Sequence, residues 1–539
     1  MPLREHALGG GIEGAQRNTR ELASWNAPMG PADMLINPIK EVADARSRDV
    51  IMNDGYMLGA INSHRDSIVG NQYRLNSNPN YKVLGADEGW AEEFQQAVEA
   101  RFNLVSDSNE CWLHAGGTLT LTGMVRLAIA QFMATGEVLG TAEYKRAANR
   151  PCATAFQFVS PDRLSNPDLQ MDSRYLRRGI KRDAWGAPIS AFIRSNHPYD
   201  YMGLDSIGEM FNWKEVPFRL PWGRLQVLHI LDALQPDQTR GISDMVSVLK
   251  QIKMTKSFQD VTLQNAVVNA SYAAALESEL PAEMVAAAMG QGQQTFGGVA
   301  FDYMSMLAKY MSAAGAIQID GAKIPQLFPN TKLRMQPMGT PGGIGTQFEE
   351  SLLRYIASGL GLSYEQFSKD YSKVNYSSAR AGQNEAFKMT QARKKLIADR
   401  VATEIYTLWL EEDIMGGNLP MYRGFTKDKF YRDPLVKSAL AQCGWIGAGR
   451  GQIDELKETQ SAMLRIKSGL STFEKECARL GEDFREIFKQ RQREDRMMAE
   501  MGLTFTMDAS KPGSNDVQKT VRGEGNDDAT QSTQEETTQ

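Results

Sequence analysis

Residues 238–280 contain no proline, and within them Met245, Val248, Leu249 and Ile252 recur at i, i+3, i+4 and i+7. That is the spacing of one helix face, so a long helix is expected over the stretch 241–280. A second periodic region follows further on. Phe348, Leu352, Tyr355, Ile356 and Leu360 mark one helix, and Ile397, Val401, Ile405, Leu408 and Trp409 mark another. Between those two stands SKDYSKVNYSSARAGQNEAFK, residues 368–388, which is polar and mildly basic. Its first part, 368–384, reads as a loop at the tip of two helices. Loops of that length in compact domains are usually either disordered or functional.

Elsewhere the texture differs. Phe94, Val98 and Phe102 recur every fourth residue within 35–105, the mark of short helices. Residues 118–230 carry β-type runs such as AFQFVSPDRLSNPD, AFIRSNHPYDY and LQVLHILD, mostly flanked by turn residues. Together 35–240 reads as a mixed α and β domain. The Pro- and Gly-dense stretch 281–346 predicts short strands and turns in a small insertion. Beyond Pro434 the pattern is helical again: Ile453 to Ser468 ends at Gly469, and a capping box from Ser471 to Glu474 starts a helix running to about Met501. Residues 1–34 read as a flexible arm and 506–539 as a disordered acidic tail. The fold class is α+β, and 539 residues exceed one ordinary core.

Several function classes lack their motifs. Cys111, Cys152, Cys443 and Cys477 form no CxxC pair, and His6, His64, His114, His197 and His229 are scattered singly, so no metal site is expected. GGGIEG at 9–14 matches a dinucleotide-binding pattern but follows no strand. There is no GxxxxGK[ST] and no GxSxG. No apolar core follows the basic start, and no window approaches the ~18 apolar residues that span a bilayer. The expectation is a soluble, cytosolically made protein with no catalytic residues, no cofactor and no membrane contact.

Charge is more informative. Residues 369–400 hold eight basic and three acidic side chains, a local +5 on a chain of net −5. Such an island suits local contact with a polyanion, although a solvated helix face has the same composition. Lys250, Lys253 and Lys256 share one flank of the first long helix, with the same two readings open.

Seven strings, in order along the chain, carry a family resemblance: VSPDRLSNP (159–167), QTRG (238–241), LESEL (276–280), SLLRYIASGLGLSYEQ (351–366), YSSAR (376–380), WIGAGRGQIDELKE (445–458) and GLSTFEKECA (469–478). The chain resembles the lambda-type phage portal proteins. The resemblance implies a dodecameric ring at one capsid vertex, through which double-stranded DNA is packaged and later ejected. It implies a wing at 35–240, stem helices at 241–280 and 347–367, and a clip at 281–346. A tunnel loop at 368–384, a long wing helix and return segment at 385–433 and a helical crown at 434–505 complete it.

The implied partners are other copies of the chain, the terminase large subunit, major capsid and scaffold proteins, and head-completion or tail-joining proteins. The implied location is the virion, with assembly in the host cytoplasm. Lys369, Tyr371, Lys373, Tyr376 and Arg380 are the candidate tunnel residues, and Lys250, Lys253 and Lys256 are candidates on the stem. Tyr376 and Arg380 have a second reading, packing between neighbouring copies. Lys394 and Lys395 are expected to face solvent or a neighbour. The alternative from another class is a metal-dependent nucleic-acid-processing enzyme using Asp370 and Glu385.

Overall fold

Phe94, Val98 and Phe102 are all wholly buried, as their spacing requires, on a helix spanning Glu88–Ser106 (α3). In this computed structural model the described residues are 24–201, 208–209, 211–276, 317–319, 322–324, 344–373, 376–449, 451 and 455–501. The acidic-tail expectation lies outside them, as do residues 1–23 of the flexible arm. The end of that arm is not loose, because Ala32 and Asp33 are buried at the start of a short helix, Ala32–Ile36, where Asp33 accepts from the Thr239 amide at 2.7 Å and pairs with Arg177. Most of the 281–346 insertion also lies outside the described residues; of it, the antiparallel pair β9 (Ile317–Ile319) and β10 (Ala322–Ile324) and the first residues of a helix starting at Ile344 are described.

Two long helices precede α3, α1 (Lys40–Asn53) and α2 (Gly55–Ile68), beside the short helices Ala32–Ile36 and Tyr81–Leu84; Asp54 caps α2 by accepting from the Met57 amide. A fourth, α4 (Leu121–Thr135), lies inside the region whose sequence reads as strands. Leu121, Met124, Val125, Ala128, Ile129, Phe132 and Met133 are buried at helical spacing while Leu127 on the other side is 38% exposed, so one face of α4 packs into the core. Thr120 caps its start, and Gly136 ends it at φ 75°. The left-handed turn brings Gly136 against Gly241 so closely that a Cβ on Gly241 would stand 2.1 Å from the Gly136 carbonyl oxygen.

Three small antiparallel sheets surround these helices. β1 (Arg74–Ser77) pairs with β11 (Cys443–Ile446), and β2 (Glu137–Tyr144) lies between β3 (Thr154–Phe158) and β8 (Val227–Leu231). β4 (Leu176–Arg177), β5 (Ile180–Arg182), β6 (Pro188–Arg194) and β7 (Trp213–Pro217) make a meander over a satellite core that includes Leu139, Leu164, Ile180 and Ile193. The main core is aromatic: Phe102 meets Tyr406 and Trp409 edge to face at 5.3 and 5.1 Å. The mixture of helices and small sheets is the expected α+β class.

The long helix α5 spans Leu249–Leu276 and follows a one-turn 3-10 helix, Asp244–Ser247, capped by Ser243. Met245, Val248, Ile252 and Thr255 are buried, and no described residue of α5 beyond Thr255 is. The helix therefore leaves the core after two turns. α6 (Ile344–Leu360) runs back antiparallel to it: Phe348 meets Phe258 at 5.9 Å, Glu349 accepts from Gln259 at 2.6 Å, and Gly359 lies against Val248.

Three boundaries need correction. The loop expected over 368–384 ends by 375, because Tyr376–Arg393 is a helix (α8). It continues through a π-helical turn at Lys394–Ala398 into α9 (Asp399–Gly416). The helical stretch expected from 434 is interrupted: a helix does span Pro434–Leu440, but β11 then pairs with β1, and the chain divides into units at 453/454. In the second unit α10 (Glu455–Lys467) and α11 (Phe473–Leu480) precede α12 (Phe484–Met501). Thr472, not Ser471, caps α11, and Gly481 at φ 84° ends it, so the single helix expected to reach Met501 is two.

Candidate nucleic-acid interface

After α6 the chain makes one further helical turn, α7 (Tyr364–Ser368). Its start is a reciprocal capping box: Ser363 Oγ accepts from the Gln366 amide and Gln366 Oε1 from the Ser363 amide, both at 3.3 Å. Lys369 ends it in the left-handed region at φ 59°, its amide donating to Glu365 O at 2.9 Å. Asp370 then organises the next turn, its Oδ1 accepting from Ser372 N at 3.0 Å and Ser372 Oγ at 2.6 Å. These bonds hold the Asp370 carboxyl below its ordinary value. Residues 369–373 are thus a built turn on the surface.

The candidate cations occupy different situations. Lys369 Nζ donates to Ser63 Oγ on α2 at 3.0 Å. Lys373 pairs with Glu350, which also accepts from Arg354 at 3.4 Å. Tyr371 is 56% exposed. Lys369 and Tyr371 line an open cleft of about 410 Å3 with Ser63, Gln383 and Phe387. Arg380 is exposed on the second turn of α8, and Tyr376 opens that helix. Four of the five candidates therefore lie close in sequence on a turn and a helix start rather than on one loop, and Arg380 is separated from Lys373 by the beginning of α8.

Two members of the positive island are internal. Arg393 is buried at the end of α8: it pairs with Asp244 at the head of the first long helix, and its Nη1 lies 3.3 Å from His64 Nε2. Lys394, expected to face outward, instead donates to Asp399 and to the Trp445 carbonyl, at 2.8 and 2.9 Å. The π turn accommodates the extra residue that turns both inward while Lys395, 81% exposed, points out. On α5, Lys256 donates to the Asn53 carbonyl at the end of α1 at 2.9 Å, and Lys250 and Lys253 are exposed beside α1.

His64 Nε2 also lies 3.1 Å from Leu360 O, and Nδ1 has no hydrogen-bond partner. Burial, reinforced by the Arg393 charge, lowers the imidazole to about 3. With an ordinary value near 6.5 in the unfolded chain, its contribution to stability is complete above that pH and is lost as pH falls toward 3. Between pH 7 and pH 5 the protein should therefore lose about 2 kcal/mol more than His64→Gln does. Parallel denaturation curves for the two proteins would show that the ring is held neutral in the fold.

The sequence alone did not reveal the charged joint behind this region. Glu137 is wholly buried, and its carboxylate meets Arg240 Nη2 at 2.6 Å, His229 Nε2 at 2.9 Å, the Gly241 amide at 3.0 Å and Lys40 Nζ at 3.2 Å. Burial pushes this carboxyl up, but the Arg240 and Lys40 charges outweigh it and hold it well below the carboxylate range. Burial raises neighbouring Asp44 to about 6, against the pull of Lys40. Arg240, from the QTRG string, also donates to the carbonyls of Pro161, Leu164 and Arg178. The joint's one signal in the sequence is a charged residue, Glu137, inside the largely uncharged run TGEVLG.

Among the described residues no group of three His, Cys, Asp or Glu side chains is placed to hold a metal ion. Asp370 of the enzyme alternative is engaged in its own turn.

A family model described as phage portal protein, lambda family, matches residues 18–394. The chain is 36% identical over 505 residues to the portal protein of Escherichia phage N15, covering 92% of this chain and 91% of that one. It is 36% identical over 501 residues to portal protein B of Escherichia phage lambda, covering 92% and 90%. A chain in the virion of a native gene transfer agent particle aligns over 85% of this chain and 96% of its own, at 12% identity and a TM-score of 0.36. The relatives give no support to the enzyme alternative.

Proposed function

Because this chain belongs to the lambda family of phage portal proteins, we propose that it closes into a dodecameric ring at one capsid vertex and serves there as a non-enzymatic conduit for double-stranded DNA. In this reading α5 and α6 are the stem, 281–346 the clip, 369–375 the tunnel loop and 454–501 the crown. The clip docks the terminase large subunit during packaging and head-completion or tail-joining proteins afterwards. The wing meets capsid and scaffold proteins, and assembly takes place in the host cytoplasm.

The observation that carries the channel assignment is the built turn at 369–373, which displays Lys369, Tyr371 and Lys373 just beyond α6 and leads into Arg380. A ring repeats each of these side chains once per copy, giving a positive collar whose phosphate contacts ignore sequence. A conduit must also let go. Each neutralised phosphate adds affinity, with log K falling by ~0.9 per contact against log salt. Lys369 and Lys373 each have a protein partner to return to, Ser63 and Glu350. A phosphate contact then exchanges one weak surface partner for another, which keeps the net hold small. Lys256 is already tied to α1, so the stem lysines take a lesser part.

Negative-stain imaging of the purified full chain should show closed rings with a central opening, and DNA incubated with it and Mg2+ should stay intact. Failure to form closed rings under every assembly condition would overturn the reading, as would metal-dependent cleavage lost on changing Asp370 and Glu385.

A further inference from the structure

One apolar surface on the stem is not used by anything above. Between α1 and the first turns of α5 runs a groove of about 890 Å3, lined by Val246, Leu249 and by Ile39, Val42 and Met254, the last three 50%, 52% and 51% exposed. Lys250 and Lys253 also line it. A separate apolar ridge lies on α6, where Phe348 and Tyr355, 50% and 53% exposed and seven residues apart, share a stripe and line no part of that groove. A chain that folded alone would have no use for both.

A ring generated by rotation joins each copy to the next through two different faces. Rotation about the channel axis also leaves height along that axis unchanged. Relative height along the stem is readable from the antiparallel pair: Gly359 lies against Val248 and Phe348 against Phe258. In that register Tyr355 stands level with Gln251 and Ile252, in the middle of the stretch 246–254 that forms one wall of the groove.

We infer that the α1/α5 groove of one copy receives the Tyr355 ridge of a second copy of this chain, and that this contact is part of the ring's subunit interface. The inference rests on the ring reading above. The chemistry suits an aromatic occupant: Val42 and Met254 supply apolar walls, the aliphatic stems of Lys250 and Lys253 can cover a ring, and their ammonium groups can lie over its face. The lysine flank is then an interface rim rather than a track for phosphates.

The full chain carrying Val42→Cys and Tyr355→Cys together should, under mild oxidation, give a ladder of reducible multimers on a non-reducing gel. Either substitution alone should give none, which also controls for native Cys443 and Cys477. Tyr355→Glu should abolish rings while leaving the thermal unfolding of the monomer unchanged, and Tyr355→Phe should retain them. Rings by imaging with no ladder from the double variant would overturn the groove assignment and leave the ring reading standing. Absence of rings from the unmodified chain would remove the ring reading and this inference with it.

Discussion

Replacing Glu137 with alanine is expected to destabilise the protein by about 3–5 kcal/mol, because it leaves buried cations without their counter-charge. Arg240 and Lys40 are both nearly inaccessible to solvent, and with Glu137 gone Asp44 and, for Arg240, Asp162 would be left to face them. The Gly241 amide and His229 would lose an acceptor in the same step. The penalty should be large relative to the total stability of a domain, which is typically 5–15 kcal/mol. Glu137→Gln keeps the shape and some hydrogen bonding, so it should fall between alanine and the native residue. Chemical denaturation of the three proteins measures this; a loss below about 1 kcal/mol for the alanine variant would mean that the cluster relaxes or hydrates when opened. The location gives the effect its meaning. Arg240 and Gly241 stand within three residues of Ser243 and the turn that launches α5, so the cluster fixes where α5 leaves the core.

Reversing Lys369 and Arg380 to glutamate together should leave ring assembly intact and lower DNA packaging or retention by at least about tenfold, since every copy in the ring converts two cations to anions at once. Lys369 contributes only one exposed bond, to Ser63, and Arg380 is exposed on α8, so neither substitution removes anything the fold depends on. Deleting 370–380 would be a poorer test, because it removes the first turn of α8 along with the loop. The neighbouring Lys395, fully on the outward side of the π turn, is the matched control: Lys395→Glu should leave packaging unchanged. If rings form and packaging is unaffected by the double reversal, the tunnel assignment fails. If rings fail to form, the two residues belong to contacts between copies.

The sequence made some of this legible and hid the rest for identifiable reasons. Long amphipathic elements were readable because one face alone is buried: Met245, Val248 and Ile252 face the core while Lys250 and Lys253 do not. α4 carries the same kind of signal, Leu121, Met124, Val125, Ala128 and Ile129 at i, i+3, i+4, i+7 and i+8, but it is overshadowed by the β-type runs that share its region from 118 to 230. The start of α8 was hidden because YSSARAGQNEAFK is polar and weakly periodic, being a largely exposed helix whose hydrogen bonds rather than whose apolar stripe define it. The late start of the second unit could not be seen from Pro434, since what binds 443–446 to the first unit is pairing with β1, some 370 residues earlier. At the candidate site, charge located the segment but could not sort it. Arg393 and Lys394 count equally with Lys369 and Arg380 in a tally, yet the π turn carries them inward to Asp244 and Asp399.

The central claim is that the segment beginning at Lys369 lines a channel and meets DNA phosphates there. It is tested most directly by placing a photo-activatable side chain at position 380, and separately at 371 and 395, in assembled DNA-filled particles and analysing the adducts after irradiation. The account predicts covalent DNA adducts from 380 and 371, falling as salt rises, and none from 395. DNA adducts from 395 with none from 380 or 371 would contradict it.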